Sequence, residues 1–519
     1  MVSALPSQPG VKLHPLSIPY RVIQSLPGVL VLAFFLVFAL GQVRPGWTAP
    51  IGGIVAVVGF LIVVGWQVAY YKRFEYELTS DTFDIRSGVI SRRNREIPYR
   101  RIQNVDISRS LIQRALGVAE LRLETAGGGQ SEAHLRYVGY DEAKRLQEEV
   151  RSRTRRVEAG REATDTGWEA PVERPTQLYE ISDRDLGVLA VASFDLRVAS
   201  ILILLLSFTA PSVLIDIVQA APIDPIAIIL AVVLVVVIAS AVLSGTSAII
   251  NNWDFKLSQL GDELRYERGL LQRYDGSIPL DKVQTLILGE NMLMRYLKYA
   301  TLTVETAGYA PGQGAAESAR AVPISKRNNT LEIARKVENF GSEPSFSRPA
   351  RRARIRYMWQ YSLALAVVTA AAYGINWWFE LGVRWWGLLA LLPLLPIAGH
   401  LKWKHRGYAI VDNYVLMRSG FWRRRTHVVP YYRIQTVDAS QTILQRRWRI
   451  ATVIVDTAGS SGLVSGNPTA FDLDHREADL LHRRLSEELQ HSLVIRTRRD
   501  RVLDEKSPRR SIMGTRGAW

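Results

Sequence analysis

Pro98-Tyr99-Arg100-Arg101-Ile102-Gln103-Asn104-Val105-Asp106 opens a segment that ends, 29 residues after its proline, on Leu121-Arg122-Leu123-Glu124-Thr125-Ala126-Gly127. The same ruler recurs twice. Pro279-Leu280-Asp281-Lys282-Val283-Gln284 runs to Glu305-Thr306-Ala307-Gly308, and Pro430-Tyr431-Tyr432-Arg433-Ile434-Gln435 runs to Asp456-Thr457-Ala458-Gly459, again over 29 residues. A length held without insertion through three copies implies one compact domain used three times, and a function that a repeated module performs.

Each copy is preceded by two apolar runs: Leu26 to Val43 and Ile51 to Tyr71, Val198 to Ala220 and Ile226 to Ile250, Tyr357 to Phe379 and Trp385 to Leu401. Their lengths suit α-helices crossing a hydrocarbon core. Runs such as Ile226–Leu243 lack the polar face that a helix of a soluble protein carries. The expectation is an α+β membrane protein with six transmembrane helices in three pairs, each pair followed by a strand-rich module. A mean hydropathy of +0.02 averages these spans with Arg-rich domains.

The boundaries that follow are an N-terminal segment 1–25, spans 26–71, a module 72–153, a linker 154–183, and spans 184–250 with a preceding interfacial stretch. Next come a module 251–338, a linker 339–356, spans 357–401, a module 402–490 and a basic tail 491–519. Arg155–Asp183 and Asn339–Ala353 mix charged and breaking residues without periodicity, and both read as disordered tethers. The tail from Arg496 reads as a mobile basic arm.

Basic residues set the orientation. The span flanks on the module side hold Lys12, Arg21, Lys72, Arg73, Arg184, Arg197, Lys256, Arg351, Arg352, Arg354, Arg356, Lys402, Lys404 and Arg406, whereas the short connections hold Arg44 and Arg384. This asymmetry places both termini and all modules in the cytoplasm of a cell-membrane, multi-pass protein. Trp377, Trp378, Trp385 and Trp386 gather at the third outer connection, where indole prefers the headgroup layer. The net charge of +16 is accounted for by these flanks, and no nucleic-acid partner is expected. The absence of cysteine excludes disulfide and thiolate chemistry.

Within each module a strand, a glycine turn and a second strand come first, around Gly88, Gly269 and Gly420, with ten residues from each glycine to its proline. Short helical segments at Leu111–Leu116, Met292–Leu297 and Ile443–Trp448 carry Arg114, Arg295 and Arg446 at matched positions. Alternation such as Leu121-Arg122-Leu123-Glu124 marks a strand with one buried face. Gly127–Gly129 reads as a hairpin turn, since no Walker lysine accompanies it. A helix closes each copy: Asp141–Arg153, Ser325–Val337 and Asp474–Leu489. In the last, Asp474 and Glu477 form a capping-box pattern, with Leu480, Leu481, Leu485 and Leu489 as the buried stripe.

Paired spans followed by a module with G-x9-P, I/V-Q and a terminal T-A-G resemble the bacterial PH domain of the second type, the former membrane-flanked domain. The resemblance covers nearly the whole chain outside linkers and tail. It implies a PH-like roll of seven strands capped by one helix, no catalytic residues, a shorter single-module sister protein or the chain itself as partner, and a place in the envelope stress response.

The candidate site is the basic hairpin: Arg92, Arg93 and Arg95 in the first module, and Arg423, Arg424 and Arg425 in the third. Clustered guanidiniums at a bilayer face attract anionic lipid headgroups, and PH folds bind phosphorylated lipids through such a hairpin. Arginines on an exposed hairpin also serve solubility alone. The second module departs from the pattern with Gln272-Arg273-Tyr274-Asp275. Glu124, Glu305 and Asp456 recur at one offset, but a single carboxylate without a second acid or His does not run acid–base chemistry. Gln103, Gln284 and Gln435 are expected to bond a neighbouring loop. No metal-ligand spacing or hydrolase motif is present, so neither cofactor nor enzyme is expected. The reading is a membrane-surface scaffold for protein assembly; the alternative is a transporter or channel component, for which Pro393 and Pro396 in the last span are weak evidence.

Overall fold

Alternation in the repeated segment becomes strand, and the computed structural model shows how. It describes residues 11–12, scattered positions from 15 to 31, 48–125, 133–158, 175–209, 225–306, 320–341, 344–379, 385–459 and 466–506. The chain divides into two compact units, Met1–Lys282 with Gly308–Gly312, and Val283–Ala307 with Gln313–Trp519, so the second module contributes its first half to one unit and its second half to the other.

In the first unit, β1 (Val11–Lys12), β2 (Glu75–Leu78), β3 (Thr82–Ser87) and β4 (Arg93–Pro98) form a four-stranded antiparallel sheet in that order. The chain turns at Tyr99–Arg101 into β5 (Ile102–Ser110), β6 (Val118–Thr125) and β7 (Ala133–Gly139). Period-two burial places Phe83, Leu121, Leu123 and Leu135 in one core with Tyr99, each large side chain contributing roughly 2 kcal/mol of burial. Helix Tyr140–Glu158 covers it through Ala143, Leu146 and Val150. Farther along the helix, Gln147 Nε2 donates to the Val105 carbonyl at 2.8 Å and Arg151 Nη2 at 3.0 Å.

The second module begins in this same unit. Strands β8 (Thr176–Glu180), β9 (Lys256–Leu260), β10 (Glu263–Arg268) and β11 (Gln272–Pro279) continue the first module's sheet, giving seven strands in the order β7-β6-β5-β11-β10-β9-β8. The join is strand to strand, β5 against β11, with Ser110 opposite Gln272 and Ile107 opposite Asp275.

The second unit repeats the device. Strands β12 (Val283–Asn291), β13 (Tyr299–Thr306) and β14 (Arg320–Lys326) share a six-stranded sheet with β15 (Gly407–Val411), β16 (Tyr414–Ser419) and β17 (Arg423–Pro430), ordered β14-β13-β12-β17-β16-β15. Here β12 meets β17, with Asn291 opposite Arg423 and Leu286 opposite Val428. A last sheet holds β18 (Ile434–Ser440), β19 (Ile450–Thr457) and β20 (Thr469–Asp474). Helix His475–Lys506 packs Ala478, Leu481 and Leu485 onto the core beneath it.

Several expectations need correction. Among the described residues each module has six strands of its own, and an additional strand comes from upstream of the paired spans, as β1 for the first module and β8 for the second, with a bridge from Ser347 to Tyr408 in the third. Parts of the segments expected as tethers are therefore ordered into sheets, and helix Asp183–Ala192, capped by Ser182, follows β8 directly. Leu480 is exposed, because the stripe runs through Ala478, Leu481 and Leu485. Glu477 accepts from the Tyr408 hydroxyl at 2.9 Å instead of closing a capping box. Reciprocal boxes occur on the short helices, between Ser110 and Gln113 and between Thr442 and Gln445. The tail is helical as far as Lys506.

Among the described residues, Ala231–Asn252 and Ala353–Trp378 are long and apolar enough to cross a membrane, and the number rises to four if two bent pairs each count as one span. One bent pair is the expected sixth span: Trp385–Leu391 and Leu394–Lys404 meet at 45°, where Leu392 and Pro393 interrupt the helix. Most of the first expected span and the outer end of the third lie outside the described residues; helix Thr48–Arg73 covers the second. Six straight spans are thus not established.

The third module is fastened to its spans by a buried carboxylate. Asp472, fully buried at φ 55°, accepts from Tyr357 Oη at 2.5 Å and Gln445 Nε2 at 2.7 Å, and pairs with Arg356 and with Arg406 at 3.8 Å. An aspartate tolerates the left-handed backbone better than most residues, and four partners offset its desolvation.

Candidate functional site

Every hairpin tip is set by its glycine. Gly88, Gly269 and Gly420 have φ of 112°, 104° and 91°, and a Cβ there would lie 1.9, 1.9 and 2.0 Å from the carbonyl oxygen three residues on. No other residue fits this turn. The tip of the second module lies against the end of a candidate span: Gly269 N donates to Trp253 O and Leu270 N to Ile250 O, both at 2.8 Å. In the third module Phe421 stacks edge-on against His405, next to the end of helix Leu394–Lys404, at 5.1 Å. Beyond each glycine stand apolar side chains left in solvent, with Ile90 85 % exposed, Trp422 65 % and Leu271 partly so. Apolar and amphipathic side chains displayed where a helix leaves the bilayer suit the headgroup region.

The short helices present apolar side chains as well. Leu111, Ile112, Met292, Ile443 and Leu444 are exposed. Arg114 Nη1 reaches the Leu270 carbonyl at 3.1 Å, and Arg295 Nη2 reaches the Phe421 carbonyl at 2.6 Å. The matched arginines thus clasp the hairpin of the following module. Burial and the neighbouring Arg424 lower the Arg295 guanidinium below its usual range.

The six arginines expected to form the lipid site do not share one environment. Arg92, at the tip, and Arg93 and Arg95, on β4, are exposed. Arg423 is exposed as well, at the start of β17. Arg424 donates from Nε to Glu290 at 2.7 Å and also from Nη2, in a pocket where Arg327 Nε holds the other carboxylate oxygen at 3.0 Å. Arg425 is half-buried opposite Gly289. In the second module Arg273 is tied to Glu267 at 3.0 Å and Asp254 at 3.2 Å. Sequence spacing detects the arginine runs but not their partners, because Glu290 belongs to another module.

The repeated glutamines mark β-bulges: the pairing register shifts across Gln103, Gln284 and Gln435. Residues following the bulge, Asn104, Thr285 and Thr436, face Glu124, Glu305 and Asp456. Gly459, the last residue of the third T-A-G, sits close enough to the second module that a Cβ would lie 3.3 Å from the Cβ atoms of Gln284 and Glu305. In the third module the recurring motif therefore lies against that of the second.

A charged groove, not foreseen from the sequence, lies beside the first joint, lined by Lys144, Arg151, Lys256, Arg265, Glu267 and Asp275. Burial raises the nearby Asp106 carboxyl to about 6 against the pull of Arg151, and burial raises Asp275 in the same way. The groove mixes cations with anions and does not present one sign of charge to a ligand. His427, buried in β17, is pushed down to about 4 by desolvation and by Arg425.

Paired apolar helices and strand-rich modules continued edge to edge define a membrane protein built from PH-like repeats. The Bacterial PH domain family matches three times, at residues 29–154, 188–339 and 362–491, and the chain belongs to that family. It is similar to UPF0699 transmembrane protein YdbT of Bacillus subtilis (strain 168), 25 % identical over 476 residues, covering 87 % of this chain and 93 % of the relative. UPF0699 transmembrane protein YdbS of the same organism is 29 % identical over 129 residues, 24 % of this chain and 76 % of the relative. No solved structure matches.

Proposed function

We propose that this chain is a non-enzymatic, multi-pass cell-membrane protein that holds its three modules at the cytoplasmic bilayer surface as a scaffold for protein assembly. The first module touches anionic headgroups through Arg92, Arg93 and Arg95, and the third through Arg423. Arg424 and Arg425 serve the joint with the second module. The observation that carries this reading is the tip of the second module, bonded through Leu270 to Ile250 in the last turn of helix Pro225–Asn252 and through Gly269 to Trp253 just past its end. That contact keeps a module's hairpin at the level of the span end, within reach of headgroups. A role in the envelope stress response rests on the family resemblance alone.

The test uses the full chain reconstituted in mixed bilayers with spin-labelled phosphatidylglycerol or phosphatidylcholine. Three cations near an anionic surface contribute at most roughly 3 kcal/mol together, so R92Q/R93Q/R95Q should reduce the motionally restricted phosphatidylglycerol while leaving phosphatidylcholine unchanged. Added salt should shrink the difference. An unchanged preference in the triple variant would return these arginines to plain solvated surface.

A transporter or channel component is the second reading, favoured by the 45° break at Pro393. Selective, saturable flux in liposomes that is lost in Pro393→Ala would move it to first place.

A further inference from the structure

We propose that β18 of one chain pairs antiparallel with β4 of a second copy, in the register used by the two joints inside the chain. Those joints share one rule. The residue three past the hairpin glycine lies opposite the residue seven past the repeated glutamine: Gln272 opposite Ser110, and Arg423 opposite Asn291. Each module thus offers its fourth strand to the third strand of the next. Among the described residues β4 ends its sheet and β18 ends its own, so the third strand of the first module and the fourth strand of the third lack the neighbour that the joints supply elsewhere.

Burial sets these two strands apart from their counterparts at the joints. Along β12 every residue from Val283 to Leu288 is buried, and Asn104, Val105, Ile107 and Ser108 are buried in β5. In β18 the matching Gln435, Thr436, Asp438, Ala439 and Ser440 are exposed. The same contrast holds on the other side. Gly276 and Ser277 in β11 and His427 and Val428 in β17 are buried, while the corresponding Arg95 and Glu96 in β4 are exposed. An exposed strand edge is a template for another strand.

Applying the rule puts Ser91 opposite Thr442, Asn94 opposite Ala439 and Arg95 opposite Asp438. Opposite charges thereby meet across the strands, at the place where the internal joints hold Gly276 with Asp106 and His427 with Ile287. Arg446, exposed and equivalent to Arg114 and Arg295, would clasp the Val89 carbonyl as they clasp Leu270 and Phe421. A second copy is the occupant because the pattern that fits β18 is a hairpin with this glycine, this register and a cation opposite Asp438, and β4 carries all three. The contact is head-to-tail, so copies form rings or open rows in the membrane plane.

This deepens the assembly part of the proposed function, and its test reads strand pairing, not lipid, so the two can fail separately. The chain lacks cysteine. Two differently tagged full-length copies, one Asn94→Cys and one Ala439→Cys, are co-expressed and oxidised in membranes, with Ile107→Cys/Asp275→Cys as the intrachain control. The expected result is a disulfide joining the two tags, and little with Asn94→Cys against Ser440→Cys, whose side chain points to the other face. Asp438→Arg should lower the yield on the order of fivefold, Arg95→Asp in the other copy should restore it, and Arg446→Ala should also lower it. The proposal is overturned by equal yield from the offset pair, by no joined tags while the control closes, by a bond only within one chain, or by capture of a different protein.

Discussion

Replacing Glu290 with Gln should loosen the β12–β17 joint while leaving β5–β11 intact. Glu290 is 6 % exposed at its side chain and accepts from Arg424, itself 19 % exposed, and from Arg327 at 30 %. Removing the anion leaves these guanidiniums and Arg295 crowded in a half-dry pocket. Breaking a fully buried pair costs about 3 to 5 kcal/mol; because both arginines keep some water, a smaller cost of about 2 to 3 kcal/mol applies here. Each 1.4 kcal/mol is tenfold in an opening equilibrium, so amide protection along β12 and β17 should fall roughly 30- to 150-fold. Hydrogen exchange read by mass spectrometry on the full chain in detergent measures it. The first joint is the internal control, for its equivalent pair is Arg109 opposite Arg273, and Arg273 is held by Glu267 and Asp254 of its own module. Equal loss at both joints, or less than about threefold loss at the second, would refute the ion-pair argument.

Acid should act on the same joint through His427. Its folded value of about 4 lies below the ordinary 6.5, so the unfolded state binds more protons between these limits. Stability is therefore full above pH 6.5 and declines as pH falls toward 4, a slope that His427→Leu should flatten in pH-dependent exchange of β17. Asp472→Asn keeps shape and backbone tolerance but strands Arg356 and Arg406; thermal unfolding should show a loss of about 3 kcal/mol, against at most about 1 kcal/mol for Asp474→Asn, whose pairing with Arg352 is exposed.

The three modules were legible because their strands alternate and their spacing repeats. Period two writes Leu121 and Leu123 into one face, and a glycine ahead of the basic hairpin writes the turn. The apolar runs marked the paired spans, and the family resemblance added the PH-like roll. What the sequence hid was long-range. β1 and β8 come from short segments without alternation, since one edge strand needs few apolar residues when its neighbour supplies the core. Nothing in a periodic pattern names the partner of an edge, so the β5–β11 and β12–β17 joints were not foreseen. For the same reason three arginines in a row, Arg423 to Arg425, looked alike, although Glu290 from another module claims the middle one. The glutamines were expected to bond a neighbouring loop; that they also mark bulges was not foreseen, because a backbone irregularity leaves no pattern in side-chain chemistry.

The claim on which the account turns is that all three modules lie on the cytoplasmic face, and a thiol-labelling experiment reads it directly. In intact cells, single cysteines replacing Gly128 and Ser461 should resist a membrane-impermeant maleimide and react only after permeabilisation, whereas one replacing Gly46 should label at once. Labelling of Gly128→Cys or Ser461→Cys in sealed cells, with Gly46→Cys protected, would contradict it.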